Sequence, residues 1–236
     1  MSENDRKLDI VAIDGPSGVG KSTVSRKIAV ALGYAYVDTG AMYRAVAYFL
    51  DRRSVNLDDD IAINEALRTF SISLVAAKTD DDDVEIFVND EDVGRLVRSP
   101  RFAMMASAVS KIPAVRSFLT EMQRSYGERG RIVAEGRDVG TVVFPAAAYK
   151  FFLDGDPRER AKRRYAQLLS RGELASFEEI LQQTLERDLN DRNRPVAPLK
   201  MAEDAFFIDT TAMNVQEVVS TMFGEIQRRR GETPPR

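Results

Sequence analysis

The chain has 236 residues, of which 44% are hydrophobic and 30% are charged, and its formal net charge at pH 7 is −3. This composition is ordinary for a soluble globular protein, and so small a net charge does not indicate a general nucleic-acid or membrane binder. The absence of cysteine and histidine excludes disulfides, thiol nucleophiles, Ser-His-Asp triads and Cys/His zinc sites.

The amino-terminal segment MSENDRKLD is polar and lacks the hydrophobic region of a signal peptide. No apolar run in the sequence approaches the roughly 18–20 residues that are needed to span a bilayer. We therefore expect a cytoplasmic protein. We also expect a monomer whose partners are small molecules rather than nucleic acid or a membrane.

Short apolar runs alternate with segments of helical spacing along the chain. Apolar, β-branched runs that end in turn residues predict buried strands, and apolar residues three or four positions apart predict helices. Their alternation predicts an α/β fold, a doubly wound parallel sheet with helices on both faces. The predicted strands are Leu8 to Ile13, Tyr34 to Val37, Arg131 to Ala134, Tyr149 to Leu153 and Phe206 to Ile208. The predicted helices are Lys21 to Leu32, Thr39 to Leu50, one beginning at Pro157, and two that follow the capping boxes Ser176–Glu179 and Asn214–Glu217.

One stretch departs from this alternation. Ser71 to Val75 and Val84 to Val88 alternate apolar and polar residues on either side of Lys78 to Asp83, which reads KTDDDD. This pattern predicts a small antiparallel hairpin with an acidic tip, inserted into the α/β frame. The final residues, GETPPR, are predicted to form a disordered tail.

The sharpest signal is the sequence GPSGVGKS, a complete match to the phosphate-binding pattern G-x-x-x-x-G-K-[ST]. Its glycines let successive backbone N–H groups point at phosphate oxygens, and the helix that follows adds its positive dipole end. Lys21 is predicted to act on the β- and γ-phosphates of ATP, and the Ser22 hydroxyl to bind Mg²⁺. Asp14 or Glu135 is predicted to orient the waters around that ion. The predicted nucleotide-binding residues are Gly15, Pro16, Ser17, Gly18, Val19, Gly20, Lys21, Ser22 and Thr23.

Chain length and missing motifs narrow the class of nucleotide-binding protein. A GTPase would usually show an Asn-Lys-x-Asp tetrad, and no asparagine in this chain is followed by lysine. Motor ATPases normally need a longer chain. A small phosphotransferase therefore fits best.

Four separated motifs extend the match well beyond the phosphate loop. They read IDGPSGVGKST, VDTGAMYRA, AEGRDVGTVVFP and RDLNDRNRPVAPL, and they lie between about Leu8 and Asp209. Together they resemble the nucleoside monophosphate kinases of the P-loop class, and more narrowly the bacterial-type cytidylate kinases. The resemblance implies that ATP is the phosphoryl donor, with Mg²⁺, and that the acceptor is the phosphate of CMP or dCMP.

The resemblance also implies which residues hold the acceptor nucleotide. Arginines suit a phosphate because a planar guanidinium grips two oxygens and stays charged. Cytosine offers acceptors at O2 and N3 and a donor at N4, so arginine and aspartate together complement its edge. Thr39 stands in the acceptor site where many relatives carry serine, and it keeps the hydroxyl. By this analogy Arg44, Arg137 and Arg194 bind the acceptor phosphate, Ser107, Arg116 and Asp138 the cytosine, and Arg187 and Asp191 the ribose.

Spacing gives part of this assignment independent support. Arg187, Asp191 and Arg194 share one face of a predicted helix, which should end at Arg194 because Pro195 follows. The alternative is an ordinary surface ion pair, which contributes only a few tenths of a kcal/mol. The turn Gly136-Arg137-Asp138 could likewise carry only a solvated ion pair. Its position directly after an apolar strand favours a place in the binding site.

A basic segment follows Asp156. In the resembled family this segment is a short helical lid whose arginines close over the ATP phosphates, so Arg160, Arg163 and Arg164 are predicted to be catalytic. A solvated helix face is one alternative. RNA binding is another, although Tyr165 is the sole aromatic side chain there. The basic residues are Arg158, Arg160, Lys162, Arg163, Arg164 and Arg171.

These assignments predict a single kinase domain. The core would comprise about 8–38, 131–155 and 200–230, the acceptor-binding region about 39–130 with the β insertion at about 71–95, the lid about 156–172 and the tail about 231–236.

An acceptor that is already an anionic phosphate needs no general base, which agrees with a chain without histidine. Two other functions stay open on the sequence. The first is a kinase for another monophosphate such as UMP, or for a metabolite hydroxyl with Asp38 as base. The second is a nucleotide-binding regulator whose hairpin docks a partner.

Overall fold

The computed structural model describes residues 8–75, 84–170 and 172–231. The acidic tip from Lys78 to Asp83, Arg171 and the residues after Gly231 lie outside these ranges, and so do the predictions made for them. The strands are β1 (Leu8–Asp14), β2 (Ala35–Asp38), β3 (Ile72–Val75), β4 (Glu85–Val88), β5 (Glu91–Asp92), β6 (Ile132–Gly136), β7 (Ala147–Asp154) and β8 (Phe206–Asp209).

The helices were predicted in part. The three whose starts carry a proline or a cap, at Pro157, Ser176 and Asn214, are all present. Those between residues 60 and 127 were not predicted individually. The helices are α1 (Lys21–Leu32), α2 (Thr39–Arg52), α3 (Asp60–Leu67), α4 (Gly94–Val97), α5 (Pro100–Val109), α6 (Pro113–Gly127), α7 (Pro157–Ser170), α8 (Phe177–Asn193) and α9 (Val215–Arg230).

The central sheet contains five parallel strands within the described residues, in the order β2-β6-β1-β7-β8. β1 lies in the middle, and its Ala12 pairs with Ala134 of β6 on one side and with Lys150 of β7 on the other. The chain leaves β1 toward β2 at one edge and returns later to β7 and β8 at the other. The loop after β1 therefore lies at the switch point of the sheet, where open α/β folds bind ligands.

Both faces of the sheet are covered, as predicted from the continuous apolar character of the strands. On β1, Ile10 and Ala12 belong to a core cluster formed with α2 and α6, whereas Val11 and Ile13 belong to a second cluster formed with α1 and α9. Successive side chains of a strand point to opposite faces, so a strand buried on both sides reads as an unbroken apolar run. The predicted fold class is confirmed.

Local signals fix the two helices that flank the first strands. α1 begins after Gly20 and ends at Gly33, whose left-handed φ of 65° lets its N–H reach the carbonyls of Ala29 and Val30. The Asp38 carboxylate caps α2 by accepting the Ala41 N–H at 2.8 Å. Asp38 is therefore both the last residue of β2 and the N-cap of α2.

The predicted hairpin is confirmed, and it is part of a slightly larger sheet. β3 and β4 pair antiparallel, with Ile72 opposite Val88, and the short β5 adds a third strand. A further unpredicted element is a π-helical turn at Val139–Val143, directly after the Gly136-Arg137-Asp138 motif. Its first N–H groups bond to a side chain distant in sequence, which is why a local pattern does not indicate it.

The helix α9 provides a test of local signals, because its capping box is complete. Asn214 Oδ1 accepts the Glu217 N–H at 3.0 Å, and Glu217 Oε2 accepts the Asn214 N–H at 2.7 Å. We expect Asn214→Ala to lower the free energy of unfolding by about 1 kcal/mol in a urea titration, since it leaves an N–H of the first turn unbonded. Asn214→Asp keeps the acceptor and should cost much less. Equal losses in the two variants would contradict the capping role.

Candidate active site

The phosphate loop is pressed against the central sheet and curls around its own lysine. A Cβ atom at Gly15 would lie 2.0 Å from the Leu153 carbonyl oxygen of β7, so only glycine fits there. Lys21, at the start of α1, donates from Nζ to the Pro16 carbonyl at 2.7 Å. The Lys21 side chain therefore folds back onto the loop that was predicted to bind phosphate.

Lys21 is buried, and its charge is costly in this state of the protein. Burial and the nearby Arg137 guanidinium lower the pKa of Lys21 to about 7, although Glu135, Asp191 and Asp14 act in the opposite direction. An anion placed against Lys21 would favour its charged form. The protein thus holds a cation that is ready for a negatively charged ligand.

Glu135, the penultimate residue of β6, is a carboxylate that is hydrogen-bonded to the predicted metal ligand Ser22. Its side chain accepts hydrogen bonds from the Tyr36 and Ser22 hydroxyls. Burial and the neighbouring Asp38 raise the pKa of Glu135, and Lys21 and Ser22 partly counter them. A hydroxyl and a carboxylate oxygen side by side are the hard donors that Mg²⁺ prefers.

Asp14 has a different environment from Glu135. Its two carboxylate oxygens accept the backbone N–H groups of Val139 and Gly140 at 2.8 and 2.7 Å, so Asp14 anchors the π-helical turn after β6. Burial raises the pKa of Asp14 to about 6 despite these bonds. Within the described ranges, acidic side chains do not form a group of three that could hold a metal ion by themselves.

Thr39 connects the ends of β2 and β6. Its hydroxyl donates to the Glu135 carbonyl at 2.6 Å, and a Cβ at Gly136 would come within 2.6 Å of the Thr39 Oγ1. Thr39 therefore lies at the predicted site. The contact that the structure gives it is with the backbone that carries Glu135 and Arg137.

A cluster of guanidinium groups lies beside Lys21. Arg137 donates from Nε to Asp191 Oδ2 of α8 at 2.7 Å, and Arg44 of α2 donates to Asp38 Oδ2 at 3.1 Å. Burial and Arg137 lower the pKa of Arg187 to about 10, and Arg44 and Arg164 act in the same direction. Burial alone would raise the pKa of Asp191, but Arg137 and Arg187 lower it below its ordinary value. Positive charge is thus in excess here.

Two of these arginines keep donors without protein partners. The Nε of Arg44 is buried and makes no hydrogen bond to the described residues. Arg187 has no hydrogen-bond or ion-pair partner in the same part of the chain. A buried donor without an acceptor is destabilising, so the cluster is complementary to an anion that supplies oxygen acceptors.

Asp138 joins two buried arginines in a second part of the site. Its oxygens lie 2.5 Å from Arg116 Nη2 and 3.0 Å from Arg194 Nη2. The Arg116 guanidinium also lies 5.9 Å from the ring centroid of Tyr43 and donates to the Ser110 carbonyl at 3.3 Å. Arg116 and Asp138, both predicted for the cytosine, are thus in direct contact, and Asp138 also holds Arg194, which was predicted for the acceptor phosphate.

Ser107, the third predicted cytosine ligand, lies on α5 one turn before Ser110. Its carbonyl accepts the Ser110 hydroxyl at 2.8 Å, and the Ser110 carbonyl in turn accepts from Arg116. The structure thus places Ser107 beside the pair of Arg116 and Asp138 without a direct bond to either.

The three arginines of α7 have different surroundings. Arg163 donates to the Thr210 and Thr211 carbonyls at 2.5 and 3.1 Å, and Arg164 donates to Gln167 Oε1 at 2.7 Å. Arg164 is also close enough to Arg187 to lower its pKa. Arg160 is buried and bonded to protein groups, including both oxygens of Asp188. The catalytic role of the three arginines stays a prediction, and in this structure the partner that offsets the Arg160 charge is Asp188.

Three residues of the site were not predicted from the sequence. Tyr43 stacks near Arg116, Tyr36 bonds Glu135, and Asp188 binds Arg160. Tyr43 directly precedes Arg44 within the VDTGAMYRA motif, which is a signal that could have indicated it. Asp188 next to Arg187 could have been read only as one more charge on a polar helix.

A separate pocket of about 480 Å³ lies at the opposite end of the sheet, near the start of β1 and β7. Its polar groups bond one another: Tyr34 donates to Asp9 at 2.5 Å, and Arg230 donates to Tyr34 at 2.5 Å and to Tyr149 at 3.1 Å. This network ties α9 to the sheet. The pocket is not part of the candidate active site.

Comparison with known proteins agrees with this geometry. A sequence profile of the family described as cytidylate kinase matches residues 11–228. The cytidylate kinase of Thermodesulfovibrio yellowstonii is 46% identical over 222 residues, which cover 92% of this chain and 97% of that protein. The cytidylate kinases of Carboxydothermus hydrogenoformans and Geobacter sp. (strain M21) are 42% and 44% identical, each over 93% of this chain and over 97% and 93% of their own lengths. With a phosphate loop and a guanidinium cluster meeting at Lys21, and with relatives of this similarity along nearly its whole length, the chain belongs to the cytidylate kinase family.

Proposed function

We propose that this protein transfers the γ-phosphoryl group of ATP to the phosphate of CMP, giving ADP and CDP. One observation carries the proposal. The phosphate loop with Lys21 follows Asp14, and Arg137 follows Gly136, and these two residues pair across neighbouring strands, so the loop and the guanidinium cluster begin side by side at one edge of the sheet. Two anions bound to these two groups would face each other, which is what direct transfer between two nucleotides requires.

The donor ATP binds at the phosphate loop. Backbone N–H groups from Ser17 to Ser22 surround its phosphates, and Lys21 exchanges the Pro16 carbonyl for a phosphate oxygen. Ser22 and Glu135 would hold Mg²⁺ together with the nucleotide, since this ion is usually bound by one or two protein oxygens plus phosphates. When bound, Mg²⁺ neutralises negative charge on the β- and γ-phosphates. Asp14 is less suited to this role because both its oxygens already accept backbone N–H groups.

The acceptor phosphate binds in the guanidinium cluster. Arg44 and Arg137 contact its oxygens, and Arg194 completes the set from the Asp138 side. The buried Nε of Arg44 supports this assignment, because it has no partner among the described residues. Arg187 and Asp191, one turn apart on α8, bind the ribose, and dCMP is accepted as well as CMP.

The cytosine ring lies against Arg116, Asp138 and Ser107, with Tyr43 beside them. Asp138 accepts from the exocyclic N4 amino group, since a carboxylate has lone pairs beyond those engaged by two guanidinium groups. Arg116 donates to O2 or N3. Uracil presents an acceptor in place of the N4 donor, so it leaves Asp138 without a partner and is a poorer substrate.

The transfer itself needs no general base. An oxygen of the CMP phosphate attacks the γ-phosphorus, and the bond from that phosphorus to the bridging oxygen of ADP breaks. Lys21 stabilises the charge of the transition state, and the arginines position the nucleophile. Arg164 and Arg163 of the lid, whose extent of about 156–172 stays a prediction, close over the phosphates and exclude water.

A panel of acceptors tests this function. The purified protein with Mg·ATP should release ADP rapidly with CMP and dCMP, slowly with UMP and hardly at all with AMP or without an acceptor. A protein that made no pyrimidine diphosphate from any of these would not be this kinase. A metabolite kinase with Asp38 as base is disfavoured, because Asp38 caps α2 and binds Arg44. The cytoplasmic location and the monomeric state stay predictions.

A mutation of Lys21 tests its predicted role in catalysis. We expect Lys21→Met to lower kcat by about 10²–10³-fold, because it removes a positive charge aimed at the transferring group. The thermal midpoint should not fall, since methionine fills the same buried volume and the charge is costly in the free protein. Steady-state assays with saturating CMP measure the first effect and calorimetry the second. A near-normal kcat would remove Lys21 from catalysis.

A mutation of Asp138 tests its predicted role in selecting the base. An asparagine there can turn its amide NH₂ toward O4 of uracil, so we expect Asp138→Asn to lower the CMP-to-UMP ratio of kcat/KM by about 10-fold. Both acceptors should be compared on one preparation, with unfolding measured in parallel because Arg116 and Arg194 are buried around this carboxylate. Proportional losses for CMP and UMP would mean that Asp138 has no part in reading the base.

A further inference from the structure

Arg160 of α7 is among the most deeply buried side chains of the protein, although it is charged. Only 2% of the Arg160 surface is exposed to solvent. The guanidinium donates from Nε to the Gly155 carbonyl at 2.9 Å and from Nη1 to the Ser17 carbonyl of the phosphate loop at 2.8 Å. These bonds join the start of α7 to the loop that receives ATP.

The other side of the same guanidinium binds α8. Nη1 lies 3.1 Å from Asp188 Oδ1, and Nη2 donates to Asp188 Oδ2, so the pair is bidentate. Asp188 is next to Arg187 and one turn before Asp191, the two residues assigned to the ribose. A single buried cation thus contacts both the donor loop and the helix that carries part of the acceptor site.

The bond to Ser17 fixes a direction within the phosphate loop. The described peptides are trans, and in a trans peptide the C=O and the following N–H point in opposite directions. Holding the Ser17 oxygen on Arg160 therefore turns the Gly18 N–H away from α7. Gly18 itself packs on this residue, because a Cβ there would lie 3.6 Å from the Arg160 Cβ. A cation on the carbonyl also polarises this peptide and strengthens its N–H as a donor.

We propose that Arg160 is a positioning residue: it sets the phosphate loop for ATP and, through Asp188, makes that setting depend on α8 and hence on the bound acceptor. This inference rests on the proposed function, because it assigns ATP to the loop and CMP to α8. It differs from a lid role, in which Arg160 would contact a phosphate itself. The acceptor and the donor then bind with positive coupling through one ion pair.

The test uses Arg160→Met, Asp188→Asn and the double variant. We expect each single change to raise the Kd of a non-hydrolysable Mg·ATP analogue by about 10-fold. In the wild type, CMP should lower the Kd of this analogue, and each single change should abolish that effect. The double variant should be no worse than either single one, because both changes break the same link. Titration calorimetry with and without CMP gives both Kd values for the wild type and for each of the three variants.

Two other roles for Arg160 give different results. If Arg160 bound a phosphate directly, Asp188→Asn would release it and leave ATP affinity unchanged or improved. If the pair only stabilised the fold, the thermal midpoint would fall while Kd and its response to CMP stayed constant. Arg229→Met is the matched control, because it breaks an arginine–carboxylate pair on α9, with Glu225 at 2.6 Å, far from the site. It should change stability alone.

The outcomes also separate this inference from the proposed function. A wild-type protein that does not phosphorylate CMP overturns the function itself. An active wild type whose Asp188→Asn variant keeps normal ATP affinity and normal coupling overturns only the role of Arg160. Should Arg160→Met fail to fold, Arg160→Lys replaces it. The lysine keeps the charge but lacks the fork that binds Ser17 and Asp188 together, so the same loss of coupling is expected.

Discussion

Positive charge gathered where β1 and β6 end is the constraint on which the rest of the structure depends. Burial and the positive charge of Arg137 lower the pKa of both Lys21 and Arg187, so the charged forms of these groups are disfavoured in the folded protein. Two kinds of contact stabilise this arrangement. Carboxylates such as Asp191 and Asp138 offset part of the positive charge, and the Pro16 carbonyl of the phosphate loop accepts a hydrogen bond from Lys21. Bound phosphates would supply the remaining compensation, which is how a binding site differs from a structural ion-pair network.

Much of the frame could be predicted from the sequence because its signals are local. The bounds of α1 were correct, since Gly33 ends the helix by adopting a left-handed conformation that few other residues tolerate. The capping box at Asn214 likewise indicated the start of α9. The phosphate loop was recognisable because its fixed set of glycines lies between a predicted strand and a predicted helix.

The unpredicted parts depend on contacts between distant residues. The π-helical turn after Asp138 is held by Asp14, which precedes it by most of the chain. The environment of Arg160 depends on Asp188, on a different helix. From the sequence, the charges of α7 form one basic segment, and nothing local separates a buried guanidinium from the more exposed ones beside it. The proximity of Arg116 and Asp138 was anticipated only through family resemblance, and the bond between Asp138 and Arg194 was not anticipated, because the three residues come from separate elements.

The position of β1 in the sheet has a consequence for biosynthesis. Ile10 pairs with Ile132, and Leu8 pairs with Ala147, so the central strand emerges from the ribosome long before either of its neighbours exists. Contacts of such large sequence separation slow folding. During that interval the apolar run of β1 is exposed and prone to aggregate. Nascent chains of this protein therefore carry an unpaired central strand until β6 and β7 have been synthesised.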